Sequence, residues 1–204
     1  MRTRDTRSNS GPPASSGSRS RRPRRPAVSA EWVTTQILAP GALRFLDDEG
    51  RGIVLSAVET GGRPGDLANL WPEDIVLDAP VPYIEVRDKY DPPGKRRRIP
   101  LVGVALGVFR KHPEGFPRYR GNDAALRALQ SKVRRKLFPV GTHGLYSLRR
   151  CFAARLKDGG LESGLVAILL GHECAWQPLG LELSLEWQRY RLLRIALPFD
   201  PAIV

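Results

Sequence analysis

The sequence predicts a mainly helical α+β domain with one small antiparallel β-hairpin or sheet. Three observations carry that expectation. Apolar residues recur at helical spacing in several separate stretches. Strand-like alternation is confined to Tyr83–Arg87 and its return near residues 95–101. Finally, 41% of the 204 residues are apolar, which suits one packed core of ordinary domain size.

Residues 1–28 hold eight arginines against the single acid Asp5, among Ser, Gly and Pro. With almost no large apolar residue, such a stretch cannot offset the entropy of ordering. A disordered basic tail is expected there, followed by one domain over residues 29–204. The run Arg19–Arg25 suits non-specific contact with a polyanion.

Within the domain, Trp32–Leu38 reads as a short helix and Leu43–Leu46 as a turn. A longer helix, from about Glu49 to Val58, carries Ile53, Val54 and Ala57 on one side and ends at Thr60-Gly61-Gly62. Pro64 suits the first position of the next helix and Asp66 its positive end. Arg63 therefore falls in a tight inter-helix turn. The hairpin arms flank Asp91-Pro92-Pro93-Gly94, with Lys89 beside the tip. Val102–Phe109 reads as a helix. Ala124–Leu137 is another, apolar at Leu126, Leu129, Val133 and Leu137 and cationic at Arg127, Lys132, Arg134, Arg135 and Lys136. Leu145, Leu148, Phe152 and Leu156 mark a helix that turns at Gly159-Gly160. Leu165, Ile168 and Leu169 mark its successor, halted by Gly171. A last helix, about Leu183 to Leu197, carries Leu185, Leu192 and Ala196.

The net charge is +12, which suggests a polyanionic partner, DNA or RNA before a membrane surface. No apolar run approaches the ~20 residues that span a bilayer, and no signal-peptide core opens the chain. A soluble cytoplasmic protein is expected. Cys151 and Cys174 are too few for a disulfide framework and are not spaced as zinc ligands. No Walker loop, dinucleotide fingerprint or internal repeat is present. The basic strand Lys95, Arg96, Arg97 and Arg98 suits a phosphate backbone. Arg149 and Arg150 near one helix start, and His172 just past the next helix end, are placed to converge on one anion.

In this order, TGGRPGDLANLWPEDI (Thr60–Ile75), the hairpin ending RRRIPL, YSLRRCFAARL and LLGH resemble the catalytic domain of tyrosine recombinases, the phage-integrase family. The resemblance covers roughly residues 50–197. It implies an integrase-like DNA breaking-rejoining fold, double-stranded DNA as substrate and a bacterial or phage-derived source. It also implies a homotetramer on DNA, with chemistry that needs no metal or cofactor and no small-molecule substrate. In that family a tyrosine attacks a phosphodiester, giving a 3′-phosphotyrosyl link and a free 5′-hydroxyl. The transition state gains charge on the non-bridging oxygens, which planar guanidinium groups grip bidentately. By resemblance these are Arg63 and Arg149. Lys89, or else Lys95, would protonate the leaving oxygen, and His172 would support the phosphate and assist proton transfer. Arg96, Arg97, Arg98 and Arg150 would add DNA contacts.

The sequence also departs from the family pattern. Tyr146 stands three residues before Arg149, where histidine is usual, and Arg150 replaces a frequent histidine. Tyr146 can hydrogen-bond a phosphate, but it is a weak base near neutrality. The family's nucleophile would fall at Leu181, or at Leu179 in another alignment, and leucine cannot attack phosphorus. Tyr190 is the tyrosine downstream of His172 and the candidate nucleophile. Two readings stay open: a recombinase acting through Tyr190, or a degenerate integrase-derived DNA-binding protein. A separate N-terminal core-binding domain of the kind most of the family carries is not expected, because a basic tail and one short helix precede the matching stretch.

Overall fold

A computed structural model describes residues 27–87, 96–138, 143–172 and 183–204. The basic tail up to residue 26, the hairpin tip with Lys89 and Lys95, and Cys174, Leu179 and Leu181 lie outside the described residues.

The fold is built around helix α2 (Asp48–Thr60), which is buried along nearly its whole length. Asp47 caps it, its carboxylate accepting from the Gly50 amide at 2.8 Å and the Tyr119 hydroxyl at 2.7 Å. Gly61 ends it in left-handed backbone (φ 58°). The sequence placed this helix correctly but gave it one apolar side. It is covered by α3 (Pro64–Ala68), α4 (Gly103–Lys111) and α6 (Tyr146–Asp158), so it has little polar face. Helix α1 (Ala30–Gln36) opens the described chain, capped by Ser29.

The sheet has three antiparallel strands in the order β1 (Ile75–Val76), β2 (Tyr83–Arg87), β3 (Arg96–Pro100). The expected hairpin is present, joined by a short extra strand, β1, whose two residues are too few to show alternation. Val86 faces Arg97 and Ile84 faces Ile99. Alternation therefore puts Arg97 on the core-facing side and Arg96 and Arg98 on the side of Glu85.

Helix α5 (Asp123–Leu137) buries Leu126, Leu129 and Val133 and exposes its arginines and lysines. Helix α6 buries Leu148, Cys151, Phe152 and Leu156. Helix α7 (Ser163–Leu170) buries Val166, Leu169 and Leu170, whereas the expected stripe was Leu165, Ile168 and Leu169. A short helix with scarcely a polar residue offers no reference for its phase. Helix α8 (Leu185–Leu193) is shorter than expected, because the chain turns at Arg194-Ile195. Together α6, α7 and α8 close a second apolar cluster around Phe152, Leu156, Leu170 and Leu192. The first cluster lies on α2, α4 and the sheet, and Phe199, Ile203 and Val204 pack against it.

The Asp47 cap yields a stability prediction. Burial alone would raise the Asp47 carboxyl. The Gly50 amide, the Tyr119 hydroxyl and the Arg118 guanidinium outweigh it and hold the carboxyl below its ordinary range. Asp47 therefore stabilises the fold above the usual aspartate range, and that contribution is lost as pH falls through the lowered value. Asp47→Ala should cost about 1–3 kcal/mol at neutral pH. Denaturant titrations across pH should also show a flatter acid limb for the variant.

Candidate active site

Arg149 lies one turn into α6 and is only 2% exposed. A guanidinium cannot shed its proton, so burial obliges it to find acceptors. Its Nη1 donates to the Gly61 carbonyl at 2.7 Å, and its Nη2 donates to the Leu170 carbonyl. The same Nη2 lies 3.1 Å from His172 Nε2. Because Arg149 can only donate, Nε2 accepts, and the imidazole proton belongs on Nδ1 in this arrangement.

His172 is delivered by the end of α7. Gly171 takes left-handed backbone (φ 65°), and the His172 amide returns to the Ala167 carbonyl at 2.8 Å. This is a Schellman-type closure. A second arginine supports it, since Arg97 Nη1 donates to the Leu169 carbonyl at 2.6 Å. Two guanidinium groups therefore meet the last carbonyls of α7, where the helix dipole favours cations.

Arg63 sits at the N-cap of α3, two residues beyond the Gly61 carbonyl that Arg149 holds. Pro64 occupies the first turn, and Arg63 Nη1 meets Asp66 Oδ2 at 3.2 Å. Arg149 thus contacts His172 directly and is tied to the turn that carries Arg63. Three motifs distant in sequence meet at one joint.

The remaining candidates are placed differently. Tyr146 begins α6 and is 47% exposed, with the Arg150 guanidinium 5.9 Å from its ring centre. On the outer face of the sheet, Arg96 pairs with Asp74 and Glu85 at 3.2 Å each, and Arg98 pairs with Glu85 at 2.9 Å. Tyr190 lies on α8 and is 57% exposed. Its hydroxyl accepts from Arg194 Nη1 at 3.2 Å.

Glu59 and Arg155 carried no expectation from the sequence, yet they form a buried ion pair beside the joint. Arg155 Nη1 reaches the two Glu59 oxygens at 3.2 and 3.1 Å, and its Nη2 donates to the Val58 carbonyl. Burial pushes the Glu59 carboxyl upward, against the opposing pull of Arg155 and the Leu197 amide. A signal was available: each charge stands at helical spacing from apolar residues, Glu59 from Leu55 and Arg155 from Phe152 and Cys151. Among the described residues, no group of three or more His, Cys, Asp or Glu could hold a metal. None of their helices is long and apolar enough to cross a membrane.

No protein-family model and no curated protein matches the chain. Solved structures do. An integrase from mycobacterium phage Brujita superposes with a TM-score of 0.66 at 17% identity, over 89% of this chain and 61% of that one. The XerA recombinase matches with a TM-score of 0.57 at 17% identity, over 89% of this chain and 68% of that one. XerH site-specific recombinase, bound to its difH substrate, gives 0.56 at 19% identity, over 85% of this chain and 50% of that one. The chain therefore has the fold of integrase catalytic domains, as its motifs implied. It spans about three fifths of the phage integrase's length.

The joint can be tested through Gly61. A Cβ there would collide with the Phe152 ring, and the left-handed backbone adds strain. Gly121 has a similar φ (65°) but nothing within 4 Å of an added Cβ. Gly61→Ala should cost about 2–4 kcal/mol against about 1 for Gly121→Ala, read from urea midpoints.

Proposed function

We propose that this chain is a site-specific DNA recombinase or integrase that cleaves and rejoins duplex DNA through a 3′-phosphotyrosyl intermediate. The observation that carries this reading is the meeting of Arg149, His172 and the Arg63 turn at one joint, on a fold shared with integrases and recombinases. Duplex DNA as substrate is supported by XerH bound to difH and by the Tn1549 integrase in complex with transposon right-end DNA.

Each residue has a part. Arg63 and Arg149 hold the non-bridging oxygens of the scissile phosphate and stabilise their added charge in the transition state. His172 sits against Arg149 and exchanges a proton with the reacting oxygens. Tyr190 is assigned as nucleophile: its phenolic proton passes to His172, its oxygen bonds to phosphorus, the bond to the 5′-oxygen breaks, and Lys89 protonates the leaving oxygen. Rejoining runs the same steps in reverse from a 5′-hydroxyl. One phosphodiester replaces another, so no external energy source is needed. Tyr146 adds a hydrogen bond to the phosphate. Arg96, Arg98 and Arg150, with Lys95, contact the DNA backbone, whereas Arg97, expected among them, is turned to the Leu169 carbonyl. Residues 29–204 act as the catalytic unit, and exchange between two duplexes requires a tetramer.

A library of nicked suicide duplexes should trap a covalent adduct, visible as a protein–DNA band resistant to denaturant. Tyr190→Phe should abolish the band, and Arg149→Lys should slow its formation by about a hundredfold. No adduct from a folded native protein that still binds duplex DNA would leave a DNA-binding protein with an intact grip and no nucleophile.

A further inference from the structure

The Glu59–Arg155 pair is 1% and 7% exposed, respectively, in a part of the molecule where ions are costly. Its outward bonds indicate what it does. Besides Glu59, Arg155 Nη1 donates to the Ile195 carbonyl at 2.8 Å. The Leu197 amide donates to Glu59 Oε1 at 2.8 Å. Both backbone groups belong to the segment that leaves α8. Arg191, on α8 itself, donates to the Gly159 carbonyl at the end of α6 at 2.9 Å. The pair stands where the chain crosses from the second apolar cluster, which contains Leu192, to the first, which receives Leu197 and Phe199.

We propose that Glu59 and Arg155 form a latch that fixes the exit of α8 to the end of α2. It thereby sets the position of Tyr190 relative to Arg149. The geometry is direct. Glu59 lies two residues before Gly61, whose carbonyl Arg149 holds, and Arg155 lies six residues after Arg149 on the same helix. The end of α2 is therefore gripped twice by α6. One grip belongs to the phosphate joint, and the other ties down the helix that carries Tyr190. Ile195 is five residues from Tyr190, little more than one helical turn away, so freedom at Ile195 becomes freedom at the phenol. Glu59 and Arg155 touch no reacting atom in this arrangement and are positioning residues. This role rests on the proposed function, whereas the docking of residues 195–197 does not.

Removing one partner strands a buried charge and endangers the fold. Replacing both with apolar side chains of similar size does not. The informative variant is therefore Glu59→Met with Arg155→Met. It should melt close to the native protein, while hydrogen exchange at the Leu197 amide rises at least tenfold and amides in the middle of α2 and α6 keep their protection. With DNA in excess, its adduct should form at least tenfold more slowly at unchanged DNA affinity. Arg155→Lys, which keeps the charge but not the fork of donors, should fall between.

A folded double variant with native Leu197 protection and native adduct rate overturns the latch. If the double variant does not fold, the native protein decides. Leu197 should exchange as slowly as the α2 core, and exchange as fast as the exposed amides of α8 overturns the proposal. Protection at Leu197 in a native protein that yields no adduct supports the docking and overturns both the cleavage reading and the positioning role.

Discussion

The guanidinium of Arg149 is the contact on which the rest of the site depends. Burying it is tolerable only because the Gly61 and Leu170 carbonyls and the His172 ring lie within its reach. Those three acceptors sit at the ends of two different helices. Ordering the arginine therefore orders the α2–α3 turn and the α7 terminus together, and with them Arg63 and His172. A planar, forked donor can satisfy several acceptors at once, which a lysine ammonium on a flexible stem cannot do in the same geometry. One side chain thus serves the packing of the fold and the proposed chemistry.

The surroundings repeat this economy. Arg97 comes from the sheet and meets the Leu169 carbonyl, so sheet and helix α6 both donate to the same helix end. Arg155 comes from α6 and meets the Val58 carbonyl near the end of α2. In each case a cation stands at the negative end of a helix dipole. Part of the chain's excess positive charge is thereby used internally, while the cations of α5 remain on the surface. Net charge alone therefore overstates how much of the molecule is available to a polyanion.

Much of this was legible in the sequence because the relevant signals are local. Gly61 and Gly171 end helices in left-handed backbone, Pro64 begins one, and the stripe Leu148, Phe152, Leu156 faces the core. The order of four motifs indicated the fold that the solved structures share. What the sequence hid is non-local. Arg97 reads as one of three strand arginines, and only the pairing with Val86 turns it inward. Glu59 and Arg155 lie 96 residues apart, and nothing in either neighbourhood specifies the other. Helix α7 is so uniformly apolar that its buried face shifted by a residue, from Leu165 and Ile168 to Val166 and Leu170.

Arg149 and Tyr190 are held to opposite degrees, and this contrast bears on how such a site could work. Arg149 is buried and bonded to two helix ends, so the fold itself fixes its position. Electrostatic stabilisation requires that arrangement, because a donor that must reorganise during reaction loses much of its effect. Tyr190 is exposed, and its hydroxyl meets Arg194 of the same chain region. A nucleophile must approach phosphorus, bond to it and later let go, so a rigidly buried phenol would be a poor one. What it needs instead is a helix whose root is fixed while its outer face stays open. The fold supplies that root at Ile195 and Leu197, through the buried pair that also braces the end of α2. The Arg149 joint and the helix that carries Tyr190 are therefore mechanically joined through the last turn of α2, although no single motif contains both.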